Sequence, residues 1–298
     1  FFDCILLKDV NLETLNHLER ISDYYNKSDV RVIHYYDSEN EDPYDRYVNG
    51  VDYFALDHDE GQFDGYLKRY GTFAGTGITS FRMPSNLQYI APETFRNCEQ
   101  LKTFYIGKAF RGKINYGEEG DPDTLFLYYA PIRLIQIDKE NTSYQLQNEI
   151  LYTRDGHILC QALKNDNADS QLTIPSCVTE IADGAFYRNS EFGAIEVKGS
   201  LERIGISAFA CADVGSFYVK GGVNYLDRGS FYQSAISEWR CHGGVKKYEK
   251  SAFQDVDATN GYAIDMNAIT KLYQELLYVN ATTDLSYWVK TIWNWIIM

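Results

Sequence analysis

Residues 174–186 read Ile-Pro-Ser-Cys-Val-Thr-Glu-Ile-Ala-Asp-Gly-Ala-Phe, and they contain a spacing that recurs along the chain. Phe186 follows Ile181 by five residues and Val178 by eight. Similar apolar residues stand at these offsets before Phe95, Phe209, Phe231 and Phe253. Inside each run the phenylalanines, with Phe73 as the first, are 22 or 23 residues apart. A period of this length indicates a solenoid, because one unit cannot bury its apolar face without stacked neighbours.

A second apolar rhythm follows each phenylalanine. After Phe95 and Phe186, apolar residues come six, nine and eleven positions later, and after Phe73, Phe209 and Phe231 they come one position earlier. Phe126 is followed by Ile132, Ile135 and Ile137 at the long spacing, which predicts one further repeat. The shared register predicts that the side chains of four phenylalanines are buried and stack in one continuous column: Phe95, Phe186, Phe209 and Phe231.

Two insertions interrupt the period. Residues 108–124 are rich in glycine and contain Pro122, which indicates a loop on one face of the solenoid. Residues 138–170 are longer and contain two short apolar runs, 150–152 and 158–159, on either side of Asp155-Gly156. Apolar runs that flank an Asp-Gly dipeptide predict a β-hairpin.

These repeats resemble those of the BspA-like leucine-rich repeat surface proteins. The resemblance is carried by residues 174–186, by the Met-Pro segment 83–90 and by 204–209, and the stretch 138–152 is similar to the hairpin insert of that family. It covers about 70–258 of the chain. It implies an α/β repeat solenoid, a right-handed leucine-rich repeat superhelix of 22–23-residue repeats spanning 67–258.

The two ends depart from the repeat. Residues 1–66 have apolar positions that fit a degenerate repeat or a short amphipathic helix, and an irregular N-terminal cap is slightly favoured because the first repeat needs cover. Residues 31–36 predict a strand there. Residues 259–298 carry apolar residues at helical spacing twice in succession, which predicts a C-terminal cap of two amphipathic helices.

The composition limits the kinds of partner and location that the chain can have. The formal net charge of −14 argues against nucleic acid as a partner, since phosphate binding needs basic patches. No apolar run approaches the length of a membrane span, and no signal peptide is recognisable.

Cys98, Cys211 and Cys241 occupy apolar positions of the repeats, so we expect them to be unpaired thiols, buried as small apolar groups.

The chain lacks the motifs of catalysis. It has no GxSxG, HExxH, Walker or kinase signature, and its five histidines are scattered. We therefore expect no enzyme activity, no cofactor and no metal.

An acidic run near the N-terminus has carboxylates of the kind that bind calcium: Asp37, Glu39, Glu41, Asp42, Asp45, Asp57, Asp59 and Glu60. It lacks the glycine and closing glutamate of an EF-hand, so a solvated loop is favoured over a metal site.

Strand alternation predicts an exposed face. Residues between the inward apolar positions point to solvent. They form one row across the predicted strands, which is the candidate ligand-binding surface: Arg82, Tyr105, Gln136, Glu196, Tyr218 and Arg240. A second row runs beside it: Ser80, Thr103, Leu134, Ala194, Ser216 and Glu238. Tyrosine and arginine are the residue types that anchor protein interfaces, although the inserts and the acidic N-terminal region are alternative binding surfaces.

The resemblance implies a secreted or cell-surface protein that adheres to a protein partner, such as host matrix or another cell. A scaffold that displays other domains is the alternative from a different class, and an enzyme would need a site between the solenoid and the C-terminal helices. The identity of the ligand and the oligomeric state stay open.

Overall fold

The structure is a computed structural model that describes residues 6–8, 10–12, 15, 18–21, 24–25, 31–32, 53–55, 65–117, 124–164, 170–249 and 251–253. These residues form short β-strands joined by turns, and none of them lies in an α-helix. The chain divides into two compact units, Phe1–Leu146 and Gln147–Met298, and each is described by itself.

The first unit contains short strands in three arrangements. The strands that begin in it are β1 (Arg20–Ile21), β2 (Tyr24–Tyr25), β3 (Arg31–Val32), β4 (Tyr53–Ala55), β5 (Gly65–Tyr70), β6 (Ser80–Arg82), β7 (Tyr89–Ile90), β8 (Thr103–Ile106), β9 (Lys113–Ile114), β10 (Thr124–Leu125), β11 (Leu134–Ile137) and β12 (Tyr144–Gln147). A parallel sheet has the order β11-β8-β6, the pairs β1-β7 and β9-β10 are parallel, and β2, β3 and β4 pair antiparallel with β5.

Residues near the N-terminus continue the hydrogen-bond ladder of the repeats as one further coil. The Thr79 N–H donates to the Lys8 carbonyl, just as the Lys102 N–H donates to Thr79 in the next coil. The Ala91 N–H donates to the carbonyl of Ile21, whose side chain is buried. These bonds connect residues 8 and 21 to the first repeats in the way that later coils connect to one another. The antiparallel strands on β5 lie between this coil and Gly71 in sequence.

The core of the first unit includes part of a predicted loop. Phe95 is fully buried and stacks on Phe73 with ring centroids 5.8 Å apart. Phe110 and Ile114, inside the 108–124 insertion, are also fully buried, so this insertion contributes to the core. Phe126 is only half-buried, whereas its neighbours Leu125 and Leu127 are fully buried. The strand that follows keeps the predicted register, with Ile135 opposite Phe104.

The second unit contains two parallel sheets. Its strands are β13 (Ile150–Thr153), β14 (Ile158–Ala162), β15 (Ser170–Ile174), β16 (Glu180–Ile181), β17 (Ser190–Val197), β18 (Leu201–Ile204), β19 (Asp213–Val219), β20 (Val223–Leu226), β21 (Ala235–Cys241) and β22 (Val245–Tyr248). One sheet runs in the order β15-β17-β19-β21 and the other contains β14-β16-β18-β20-β22. The predicted hairpin is confirmed, since β13 pairs antiparallel with β14, which in turn pairs parallel with β16.

A column of phenylalanine rings fills the second unit. Phe186, Phe209 and Phe231 are fully buried, with successive ring centroids 4.6 and 5.0 Å apart and nearly parallel planes. Phe253 continues the stack at 5.2 Å. Each ring is held in register because its backbone N–H donates to the next coil, from Phe186 to the Ala208 carbonyl and onward. The predicted burial of Phe95, Phe186, Phe209 and Phe231 is confirmed, and within its own unit each ring stacks on that of a neighbouring repeat.

The helical half of the predicted α/β fold is not found in the described repeats, which form a β-solenoid. The reason lies in the backbone two residues after the phenylalanine, where Asn97, Arg188, Cys211 and Gln233 have φ between 49° and 55°. Such left-handed residues end a helical turn after a few residues, because right-handed helix requires negative φ. The predicted C-terminal helices (259–298) and the acidic run lie outside the described residues.

The predicted free thiols are confirmed. Cys98, Cys211 and Cys241 form no disulfide bond, and neither do Cys160 and Cys177. Cys98 and Cys241 are buried, but Cys211 is only half-buried, so the prediction that it is a core residue was wrong. Its positive φ places it in the turn after Phe209.

Candidate binding face

Within each unit, the residues of the predicted exposed row lie side by side on adjacent strands. In the first unit, Arg82, Tyr105 and Gln136 are aligned across β6, β8 and β11. In the second unit, Glu196, Tyr218 and Arg240 are aligned across β17, β19 and β21. All six side chains are exposed or half-buried, while the residues that alternate with them are buried except for the half-buried Ile137. The row therefore forms two faces, which we call the Tyr105 face and the Tyr218 face.

Internal contacts dominate the Tyr105 face. The Arg82 guanidinium lies 4.0 Å above the centre of the Tyr105 ring. The Tyr105 hydroxyl donates to Asp138 Oδ2 at 2.8 Å. Burial and the Asp138 carboxylate raise the pKa of Tyr105, while the Glu140 N–H and the Tyr105 hydroxyl lower the pKa of Asp138. Arg82 and Tyr105 therefore already have interaction partners within the unit.

The Tyr218 face contains a depression. It has a volume of about 290 Å³ and is lined by Ser216, Phe217, Tyr218, Glu238 and Arg240. The His242 ring meets the Tyr218 ring edge to face, with centroids 5.2 Å apart. Arg240 pairs with Glu238 on the same strand.

The second predicted row explains the depression. Ala194, Ser216 and Glu238 are opposite one another on adjacent strands. Two of these residues are small, which leaves space beside the Tyr218 ring. In the first unit the corresponding row is Ser80, Thr103 and Leu134, of which Leu134 is 45% exposed.

A third row was missed at the sequence level. Lys198, Lys220 and His242 follow the last residues of β17, β19 and β21, and all three are exposed. The Lys198 ammonium lies 2.6 Å from Glu196, two residues earlier on the same face. The same alternation that predicted the first row would have found this one, had it been continued by two residues.

A charged cluster occupies the other sheet of the second unit. Arg203 binds Asp183 at 2.5 Å, Glu180 at 2.8 Å and Asp227 at 2.9 Å, so one guanidinium joins three successive coils. Burial raises the pKa of Asp183 to about 6 even though Arg203 favours the carboxylate. Burial opposes the charge of Arg203, but the three carboxylates outweigh it and raise the pKa of the guanidinium. These groups satisfy one another, which is typical of a structural cluster.

Neither a metal site nor a membrane segment is found in the described ranges. No group of three or more histidine, cysteine, aspartate or glutamate side chains there is placed to hold a metal ion. No helix long and apolar enough to cross a membrane occurs among the same residues.

Sequence comparison matches the repeats to one family. Six copies of the BspA type leucine rich repeat region match residues 69–116 and 156–260, which together make up just over half of the chain. The chain belongs to the BspA-type leucine-rich repeat family. The repeat phenylalanines and the two parallel ladders of the second unit lie within these matches.

Solved structures of low sequence identity are also similar. The pneumococcal vaccine antigen PcpA is 16% identical with a TM-score of 0.44, over 60% of each chain. A leucine-rich repeat protein from Eubacterium ventriosum is 15% identical with a TM-score of 0.36, over 62% of this chain and 66% of that one. The chain thus spans less than two thirds of either structure. No curated protein sequence matches it significantly.

Proposed function

We propose that this chain is a non-enzymatic protein of the cell surface or extracellular space that adheres to another protein through the Tyr218 face. Membership of a leucine-rich repeat family supports a binding role. The observation that carries the choice of surface is the alignment of Tyr218 with Arg240 along a depression on an exposed sheet.

The chemistry of this face suits a protein partner. Tyrosine and arginine supply large contact area with one polar end, and they are enriched among residues that carry binding energy. Ser216 and Glu238 offer a hydroxyl and a carboxylate at the edge of the depression. The Arg240–Glu238 pair is exposed, and exposed pairs are worth at most about 1 kcal/mol, so a partner can exchange it at small cost.

The Tyr105 face is less suited to the same role. A partner that used Arg82 or Tyr105 would first have to break the stacking of Arg82 or the hydrogen bond to Asp138. Breaking satisfied contacts reduces the net gain on binding. We therefore assign the main contact to the Tyr218 face.

The proposal is tested with a panel of purified extracellular matrix proteins immobilised on a sensor surface. The double variant Tyr218→Ala/Arg240→Ala should bind the recognised protein about thirtyfold more weakly, since an anchor of this kind contributes about 2 kcal/mol. Its melting temperature should stay close to that of the native protein, because both side chains lie at the surface.

The chain offers a matched control on its other sheet. Tyr225 and Lys247 are also aligned on adjacent strands, and Lys247 lies 5.0 Å above the Tyr225 ring. The variant Tyr225→Ala/Lys247→Ala should leave binding unchanged. Equal loss in the two double variants would reject the Tyr218 face, and no binding to any protein of the panel would favour a scaffold instead.

A further inference from the structure

A basic row borders the Tyr218 face. Val197, Val219 and Cys241 are opposite one another, so the residues that follow them also lie on adjacent strands. These are Lys198, Lys220 and His242, whose backbone N–H groups continue the ladder to Ile174, Val197 and Val219. They come two residues after Glu196, Tyr218 and Arg240 and so share their side of the sheet.

Two contacts confirm this placement. Lys198 pairs with Glu196 at 2.6 Å, and the His242 ring lies against Tyr218 on the neighbouring strand. Adjacent strands are about 4.8 Å apart, so the three side chains form a compact basic row.

The charge of this row contrasts with that of the chain. The formal net charge of the protein is −14, yet Lys198, Lys220 and Arg240 lie together on this face. Glu196 and Glu238 offset two of these cations by forming ion pairs with Lys198 and Arg240. Lys220, in the middle of the row, forms no ion pair among residues 170–249, and its side chain is exposed.

We propose that the basic row binds acidic side chains of an extended peptide segment in the protein partner, which contacts the Tyr218 ring at the same time. This inference rests on the proposed function and specifies the chemistry of the partner. Complementary charge brings the partner to this face and fixes its register, while the ring and the depression supply apolar contact.

The two glutamates favour a peptide over a uniform polyanion. A sulfated glycan carries negative charge along its whole length and would lie against Glu196 and Glu238 as well as the lysines. An extended peptide directs alternate side chains to the same side about 6.7 Å apart. Because its residues vary along the chain, it can present two neighbouring carboxylates on that side to Lys220 and His242, and uncharged side chains beyond them to the glutamates.

The test uses the whole chain and fluorescein-labelled decapeptides, with binding followed by fluorescence anisotropy. The probe is a threonine decapeptide with a central Glu-Thr-Glu, whose two carboxylates lie on one side with threonines beyond them, and the comparison peptides replace both glutamates with glutamine or lysine. The glutamate probe should bind best, and its affinity should fall as salt is raised, because exposed charges are screened. The variant Lys220→Glu should weaken its binding about tenfold, because reversal replaces attraction with repulsion.

Lys246→Glu is the matched control, since Lys246 is an exposed lysine on β22 of the other sheet. It makes the same change in net charge and should leave the affinity nearly unchanged. Equal weakening by both variants, or equal binding of the glutamine peptide, would overturn the proposal. Tighter binding of a heparin oligosaccharide that is lost in Lys220→Glu would assign the row to a glycan instead.

The two proposals fail in different ways. Suppose that Tyr218→Ala/Arg240→Ala weakens binding of the matrix protein, but Lys220→Glu changes the affinity neither for that protein nor for the probe. The face then binds a partner that is not acidic at this point. If the Tyr218 face is not the binding surface, the double variant leaves the matrix protein bound. Thermal melting of each variant excludes loss of fold as the cause.

Discussion

The Tyr105 face and the Tyr218 face each place a tyrosine and an arginine on adjacent strands of the exposed row, but the two faces use these residues differently. On the Tyr105 face, the arginine covers the ring at 4.0 Å and the hydroxyl donates to Asp138. On the Tyr218 face, the ring meets His242 at its edge, and the tyrosine hydroxyl donates to no described residue. One row derived from the sequence therefore contains a self-satisfied surface and a surface with free binding groups.

The difference teaches that residue type and register do not define a binding site by themselves. What matters is whether the polar groups already have partners, because a satisfied donor gains little when it exchanges one hydrogen bond for another. The residue at the strand end decides this here. Asp138 and His242 both follow the end of the strand next to the tyrosine. The Asp138 carboxylate accepts from the Tyr105 hydroxyl, whereas the His242 ring meets the Tyr218 ring edge to face.

The cores of the two units differ in a similar way, and this gives the largest predicted effect. Phe209 lies between two parallel rings, whereas Phe126 is half-buried and contacts Tyr128 and Tyr129. Replacing Phe209 with alanine should lower the free energy of unfolding by about 3–5 kcal/mol through lost burial and a cavity. Phe126→Ala should lower it by about 1 kcal/mol, since less surface returns to water. Urea denaturation measures both, and equal losses would contradict the repeat assignment of Phe209.

Much of this architecture could be predicted from the sequence because the same spacing of apolar residues recurs in several repeats. The phenylalanine and the apolar residue five positions before it, as in Phe186 and Ile181, are both buried in the repeats of Phe95, Phe186, Phe209 and Phe231. The hairpin was predictable for a local reason, since Asp155-Gly156 supplies a tight turn and Gly156 has a φ of 77°.

The rest depends on features that appear once. A tract of some fifty residues separates Ile21 from Gly71, which hides the first coil from a search for a fixed period. The prediction of helices in the repeats was wrong because the positive φ of Arg188 and Gln233 cannot be recognised from the sequence. Arginine and glutamine are also common in helices. In the Arg203 cluster, Glu180 and Arg203 share one repeat position on adjacent strands, but Asp183 and Asp227 lie at two other positions, so the periodic pattern does not reveal the whole cluster.

That cluster gives the second prediction, which concerns the sheet of the second unit opposite the Tyr218 face. Arg203→Ala should lower the free energy of unfolding by about 2–3 kcal/mol at pH 8, because partly buried carboxylates lose their cation. Burial already raises the pKa of Asp183 to about 6. A carboxyl whose pKa is higher in the folded state stabilises the fold below its unfolded pKa and loses this contribution as pH rises through 6. The defect should therefore be smaller at pH 5 than at pH 8.

Asp183→Asn in the Arg203→Ala background is the control, since it removes the titrating group. It should recover part of the stability at pH 8 and reduce the difference between pH 5 and pH 8. Urea denaturation at the two pH values measures this. A defect in Arg203→Ala that grows as pH falls would show that Asp183 is not the group responsible.

The third prediction compares the two tyrosines directly. Tyr105→Phe should lower the free energy of unfolding by about 0.5 kcal/mol at pH 7, since a hydrogen bond to a charged but exposed carboxylate is lost. Tyr218→Phe should change it less, because no described residue accepts from its hydroxyl. The Tyr105 hydroxyl helps to lower the pKa of Asp138, so its stabilising effect is present at neutral pH and should vanish as pH falls through the pKa of that group. If the two variants are equally stable at pH 7, the contrast between the faces is wrong.

The smallest effect concerns thiol reactivity, which should differ without any change in stability. Cys177 is exposed and Cys211 is half-buried, whereas Cys98, Cys160 and Cys241 are buried. Burial also raises the pKa of Cys98 and Cys160, which lowers the fraction of reactive thiolate. A disulfide reagent added to the folded protein without reductant should label Cys177 first and Cys211 more slowly, and the buried three only after denaturation. Mass spectrometry of the labelled peptides assigns each site, and Cys177→Ser should remove the fastest phase. Labelling of Cys98 in the first unit as fast as that of Cys177 in the second would mean that the coil around Phe73 and Phe95 opens readily, and the two cores would then differ in stability as well as in packing.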